Sequence, residues 1–126
     1  MNIDKLLKDN KIEFILKKRK NINIYIISDE KMLIVIKNNN NVFSIDRKTF
    51  NETDEELLPY SFYLFDSNKN QGYFIKIKEP NNFLKDSFDS TDKNEIYFGK
   101  QVLNNKIKEE ELLNKIEEIW ECTKAK

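Results

Sequence analysis

The chain has 126 residues, 22 basic against 22 acidic, with 39% apolar positions and only 2 Gly and 2 Pro, which excludes collagen-like and Pro/Gly-rich disordered classes. It is one domain's length, able to bury roughly two thirds of its unfolded surface around a single core. The sequence holds no histidine and one cysteine, Cys122, which excludes a Ser-His-Asp triad, a histidine base, histidine-ligated metal, an internal disulfide and a thiolate cluster.

In chain order, the first predicted element is a short helix, with Ile3, Leu6 and Leu7 on one face, Asn2 as its cap and Asn10 suited to its exit. Period-two alternation follows: Ile12, Phe14 and Leu16, then Ile22, Ile24 and Ile26 after a basic turn, then Met32, Ile34 and Ile36 after Ser28-Asp29-Glu30. Intervening positions are apolar too, through Ile15, Tyr25, Ile27, Leu33 and Val35, which predicts a sheet covered on both faces by helices. A fourth short run occupies residues 42 to 45, after an Asn tract. The spacings Thr49 to Glu52 and Thr53 to Glu56 fit capping boxes, and the helix they open is expected to end at Pro59.

Residues 60 to 65 and 73 to 78 read as an aromatic-rich hairpin joined by a turn-forming segment whose Gly72 can take positive φ. A short helical stretch over residues 80 to 88 and a strand over 95 to 99 come next. Leu112, Leu113, Ile116, Ile119 and Trp120 recur with the helical period, with Glu109-Glu110-Glu111 in the first turn, where they complement the dipole. The expected class is α/β in the α+β sense: one domain over residues 1 to 126, with a central mixed, largely antiparallel sheet of about six to seven strands and helices on both faces.

No apolar run approaches the ~20 residues that cross a bilayer, and the N-terminus lacks a signal peptide's apolar stretch. A cytoplasmic protein without membrane contact is therefore expected. Charge is uneven along the chain: residues 1 to 48 carry 11 basic and 6 acidic side chains, the remainder 11 and 16. The densest basic run, Lys17-Lys18-Arg19-Lys20, is the candidate nucleic-acid contact. Its plainer reading is a hairpin turn kept soluble by charge, since no aromatics are interleaved with it.

The run Ile34-Val35-Ile36-Lys37, then residues 59 to 66 (PYSFYLFD) and 72 to 77 (GYFIKI), resemble the restriction-endonuclease-like superfamily, in particular small bacterial domains of the P-D-(D/E)-X-K type. The resemblance implies a restriction-endonuclease-like fold. In such domains a strand bearing a carboxylate or Gln, a spacer and a Lys is followed by a helix, a Pro-led apolar strand ending in Asp, and a tyrosine-rich strand. Their chemistry needs two acidic side chains converging on Mg²⁺ with a Lys beside them, because the metal lowers the pKa of a water and stabilises charge on the phosphate. In this frame Lys37 is retained but vestigial, Val35 occupies the carboxylate's place, and the first acid's position falls near Asn21 or Asn23, all neutral.

A competing frame, Asp46-Arg47-Lys48 with Asp29 upstream, spells an intact acid-acid-lysine set for a Mg²⁺-dependent nuclease. The same three-residue pattern recurs at Asp9-Asn10-Lys11 and Asp29-Glu30-Lys31, so its specificity is low. The favoured expectation is a non-catalytic binding or regulatory module on a decayed nuclease-like fold, needing no cofactor or metal. Its partner would be a protein or a nucleic acid, with homodimerisation through an exposed sheet edge left open. A role in phage or mobile-element defence or counter-defence follows by analogy with the fold alone.

Overall fold

Strands form where apolar side chains occupy consecutive positions between short polar turns. β1 (Phe14–Lys18), β2 (Ile22–Ile27) and β3 (Lys31–Lys37) make an antiparallel meander, with Leu16 opposite Tyr25 and Ile24 opposite Ile34. Before them, α1 (Ile3–Asp9) starts where the Asn2 side chain accepts from the Lys5 N–H at 3.1 Å, and it stops at Asn10, whose amide donates to the Leu6 carbonyl at 2.8 Å. The computed structural model describes residues 2–19, 21–38, 42–76, 88–89, 95–118 and 120. Lys20, Cys122 and most of the helix expected over residues 80 to 88 lie outside them.

After β3 the chain leaves the sheet through β4 (Ser44–Asp46) and α2 (Arg47–Glu55) and returns as β5 (Tyr60–Asp66), parallel to β3. A parallel return needs such a crossover, whereas the antiparallel neighbour β6 (Gln71–Lys76) needs only a turn. Then come β7 (Phe88–Asp89), β8 (Glu95–Phe98), a 3₁₀ segment (Lys100–Asn105), β9 (Lys106–Ile107) and α3 (Glu109–Glu117). The main sheet runs β1-β2-β3-β5-β6-β9, and β4-β8-β7 form a separate three-stranded sheet. The architecture is thus α+β with a central mixed, mainly antiparallel sheet, as the periodicity predicts.

Two apolar layers cover this sheet. On one face Tyr25, Ile27, Leu33, Tyr63 and Phe74 pack against Ile3 and Leu7 of α1, Leu112 and Ile116 of α3, and Trp120. On the other, the even-numbered residues of β2, β3 and β5 meet Phe43, Ile45, Phe50, Ile96 and Val102. That second cover is α2 together with the small sheet, where helices alone were expected. The reason is that β4 and β8 pair with each other, each giving the core one fully buried side chain, Ile45 and Ile96.

Three local expectations are corrected. α2 begins at Arg47, because Asp46 caps it, and ends at Glu55, well before Pro59; Leu57 turns the chain at φ 60°. α3 ends at Glu117, and Trp120 lies beyond the helix despite its helical spacing. Its indole N–H folds back to donate to the Lys115 carbonyl at 3.0 Å, and its ring packs on Phe74 with centroids 6.1 Å apart. Gly72 is not at positive φ; Asn70, at φ 48°, makes the hairpin turn.

Gly72 is required for space. A Cβ there would meet the Tyr63 hydroxyl, and its Cε1 and Cζ at 2.5 Å, because the ring lies across the glycine from the neighbouring strand. Gly72→Ala is expected to destabilise the fold by ~1–3 kcal/mol. In urea titrations Gly72→Ala combined with Tyr63→Leu should lose less than the two single changes added together; strict additivity would disprove the contact's role.

Candidate functional site

The seat that the nuclease-like frame assigns to a carboxylate is Val35. The strand register sets Asn23 of β2 on one side of it and Tyr63 of β5 on the other. All three share the face covered by α1 and α3, and Val35 packs at the margin of that core. Burial, and secondarily the charge of Glu109, push the Tyr63 phenol up to about 12, so it stays un-ionised at neutral pH. An amide, an isopropyl group and a neutral phenol present no anionic oxygen in this row. Lys37 ends β3 exposed, two positions on, with its backbone N–H donating to the Asn21 carbonyl at 3.1 Å.

The competing set is divided by the fold. Asp46 and Lys48 line an open cleft of about 570 Å³ together with Arg19, Asn21, Glu52 and Glu95. Asp29 sits in the β2–β3 turn and lines a different groove, beside β1, with Asp4 and Glu13. Asp46 is also committed locally. One carboxylate oxygen, Oδ2, accepts from both the Thr49 N–H at 2.9 Å and the Thr49 hydroxyl at 2.8 Å, which makes Asp46 the N-cap of α2. Among the described residues, no three Asp, Glu or Cys side chains are grouped to hold a metal ion.

Glu95 is the cleft residue that sequence reasoning missed. It is the cross-strand partner of Asp46 in the β4–β8 pair. Two short strands some fifty positions apart carry no sequence signal that they will pair, so the neighbouring carboxylates were not predictable.

The basic turn is partly answered from within the chain. Lys17 Nζ lies 3.5 Å from Glu56 Oε1, and Arg19 Nη2 lies 3.8 Å from Glu52 Oε2, both acids on or just after α2. The pairs are roughly half exposed and worth ~0–1 kcal/mol each. Their effect is on the field: two acids at the turn reduce the positive potential that would gather phosphates. Lys18 is exposed, and Arg19 Nη1 donates to its carbonyl at 3.1 Å.

Compared with protein-family models, with curated proteins and with solved structures, the chain gave no match in any of the three.

Two outcomes follow from this geometry. Asp46→Ala should cost ~1 kcal/mol through the lost cap, and Asp46→Ser, which restores a capping oxygen, should recover most of it in urea unfolding. An Asp46→Ala protein as stable as the parent would show that the cap does not hold α2. The second concerns alkaline pH. Tyr63, and Tyr25 through burial and its hydrogen bond to Asp4, both titrate above the ordinary tyrosine value of 10.0. A folded pKa above the unfolded one means that the stability from the neutral phenol is complete below the unfolded value. It is lost as pH rises through the window between 10.0 and about 12. Tyr63→Phe should flatten this loss in denaturation curves; an unchanged slope would show that Tyr63 ionises freely.

Proposed function

We propose that this protein is a non-catalytic binding or regulatory module on a decayed nuclease-like scaffold, acting by association with a macromolecular partner. The observation that carries the proposal is the row Asn23, Val35 and Tyr63, three neutral side chains across the strands where a metal-dependent nuclease would need anionic oxygens. The order of elements also supports it: α1, a three-strand meander, then α2, then a Pro-led apolar strand ending in Asp66 and lying parallel to β3, then tyrosine-bearing β6. From β3 onward that is the order the resemblance implies, with the short β4 added before α2. The genome-defence or counter-defence setting belongs to the same analogy and to nothing in the site itself.

The favoured partner is a protein. The open cleft is lined by the bases Arg19 and Lys48 together with the acids Asp46, Glu52 and Glu95, a mixed-sign surface that repels a phosphate backbone as much as it attracts one. The acidic balance of residues 49 to 126 acts in the same sense.

The test is incubation of the pure protein with plasmid, single-stranded DNA and RNA in Mg²⁺ or Mn²⁺. The expected result is intact nucleic acid. Cleavage that disappears in Asp46→Ala or Lys48→Ala, while both variants stay folded, would replace the proposal by a metal-dependent nuclease working from the Asp46 cleft. Gel-shift titrations across salt decide the partner class: weak binding with a shallow salt slope is expected. Tight binding whose slope falls by about one per basic residue removed at Lys17, Lys18 and Arg19 would make nucleic acid the partner.

A further inference from the structure

The two ends of the main sheet differ. Among the described residues, β9 is an edge of two residues, too short to template pairing, whereas β1 is an edge of five with no proline. Arg19 and Ile22 exchange both backbone bonds, at 2.7 and 3.4 Å, and the Ser28 N–H donates to the Glu13 carbonyl at 2.9 Å. The alternation of an antiparallel ladder therefore directs the N–H and C=O groups of the odd-numbered residues of β1 towards β2. Those of Phe14, Leu16 and Lys18 point out of the sheet. On the same strand Ile15 is 55% exposed, a large aliphatic side chain left in water at the sheet's margin.

Lysines on an edge strand ordinarily discourage pairing. Here one of the two, Lys17, is matched by an acid, Glu13, just before the strand's other end, and Lys18 at the rim falls opposite Ile12. The segment Glu13-Phe14-Ile15-Leu16-Lys17 reads acid, three apolar residues, base, and read backwards it is the complement of itself. Beside it runs a groove of about 630 Å³ whose charged lining, among the described residues, is Asp4, Glu13 and Asp29 against one base, Lys8.

From this geometry we infer that β1 is a homodimer interface: two copies of the chain pair β1 with β1, antiparallel, about a two-fold axis at Ile15. Ile15 faces the partner's Ile15, Phe14 faces the partner's Leu16 and exchanges main-chain hydrogen bonds with it, and Glu13 faces the partner's Lys17, once on each side of the axis. The basic end of each β1 enters the acidic end of the other's groove. Slipping the pairing by four residues in one direction, which moves the axis to Lys17, would set Lys17 against the partner's Lys17. A slip to an axis at Leu16 would set Lys17 against Ile15 and Lys18 against Phe14. Charge and apolar matching together therefore select one register. Lys17 already lies 3.5 Å from Glu56, on an exposed pair that leaves ammonium donors for a second carboxylate. The inference is independent of the proposed function, since it uses neither the cleft nor the Val35 row.

Sedimentation equilibrium on the full chain over a range of concentrations tests it. The parent should associate to a dimer and no further. Glu13→Lys and Lys17→Glu should each weaken self-association about tenfold or more, because either change puts like charges opposite each other twice per dimer. Mixed in equal amounts, these two variants should dimerise with each other, since every Glu then faces a Lys. Glu13→Lys combined with Lys17→Glu in one chain should restore the homodimer. Ile15→Asp, at an exposed position whose loss does not threaten the monomer, should abolish association while circular dichroism stays unchanged. A protein that is monomeric at every concentration reached would overturn the inference. So would a dimer that survives both Ile15→Asp and the single charge reversals, or single variants that fail to recognise each other while both remain folded.

Discussion

The structure depends on a central strand that has no exposed side. β3 lies between β2 and β5 in the main sheet, and Met32, Leu33, Ile34 and Ile36 are all essentially inaccessible. Both faces of the strand are apolar, so both must be covered, and the chain supplies two different covers: α1 and α3 on one side, α2 and the small sheet on the other. This constraint explains why the chain leaves the sheet after β3. Only a crossover can lay α2 over the even-numbered face and bring β5 back beside β3, and the parallel pairing of β3 with β5 is its consequence.

Polar groups inside such a sandwich survive only with a dedicated partner, and the examples present show how. Lys31 begins β3 with 9% exposure; its ammonium donates to the Glu118 carbonyl at 2.7 Å and sits 4.7 Å above the Trp120 ring. Burial lowers its pKa, while Glu30, Glu117 and Glu118 act against that shift. The same contact ties the chain beyond α3 to the start of β3. On the same face Tyr25 donates to Asp4 and so fixes α1 against β2. A pair of bare carboxylates at Val35 would need comparable compensation, and the Asn23, Val35 and Tyr63 row removes the need for it.

Much of this was legible in the sequence because it depends on local pattern. The period-two runs of β1, β2 and β3, the Asn2 cap and the β5–β6 hairpin follow from residues within a few positions of one another. Apart from the cap of α2, which is local and was placed a few residues too late, what was not legible depends on distant parts of the chain meeting. Thr49 looks like a helix cap until Asp46, three residues earlier, is seen to bond its N–H and hydroxyl. Trp120 continues the helical period of Leu112 and Ile116, but its position is settled by Phe74 and Lys31 across the sheet. Gly72 resembles a turn glycine by its neighbours, and only the ring of Tyr63 on the adjacent strand shows that its role is to leave room. The candidate site divides in the same way: the apolar character of Val35 was readable from one strand, whereas the meeting of Asp46 with Glu95 required the pairing of β4 with β8.

The sheet's interior is filled by apolar packing, so the recognition proposed above falls at its margins, where the charged side chains lie. At the β1–β2 turn, Lys17 and Arg19 reach Glu56 and Glu52 across to α2, so the base-rich end of the edge strand is screened on its α2 side but open outward. At the opposite end of β1, Glu13 and Asp29 line the same groove as Asp4. A strand with opposite charges at its ends and an exposed isoleucine at its centre is poor at binding a uniform polyanion, whose charge does not change sign along its length. It is well matched to a polypeptide edge running the other way, where the sign reverses at the same spacing. On the proposed β1 pairing, the features that weaken a nucleic-acid reading of the basic run are the ones that suit it to a protein edge.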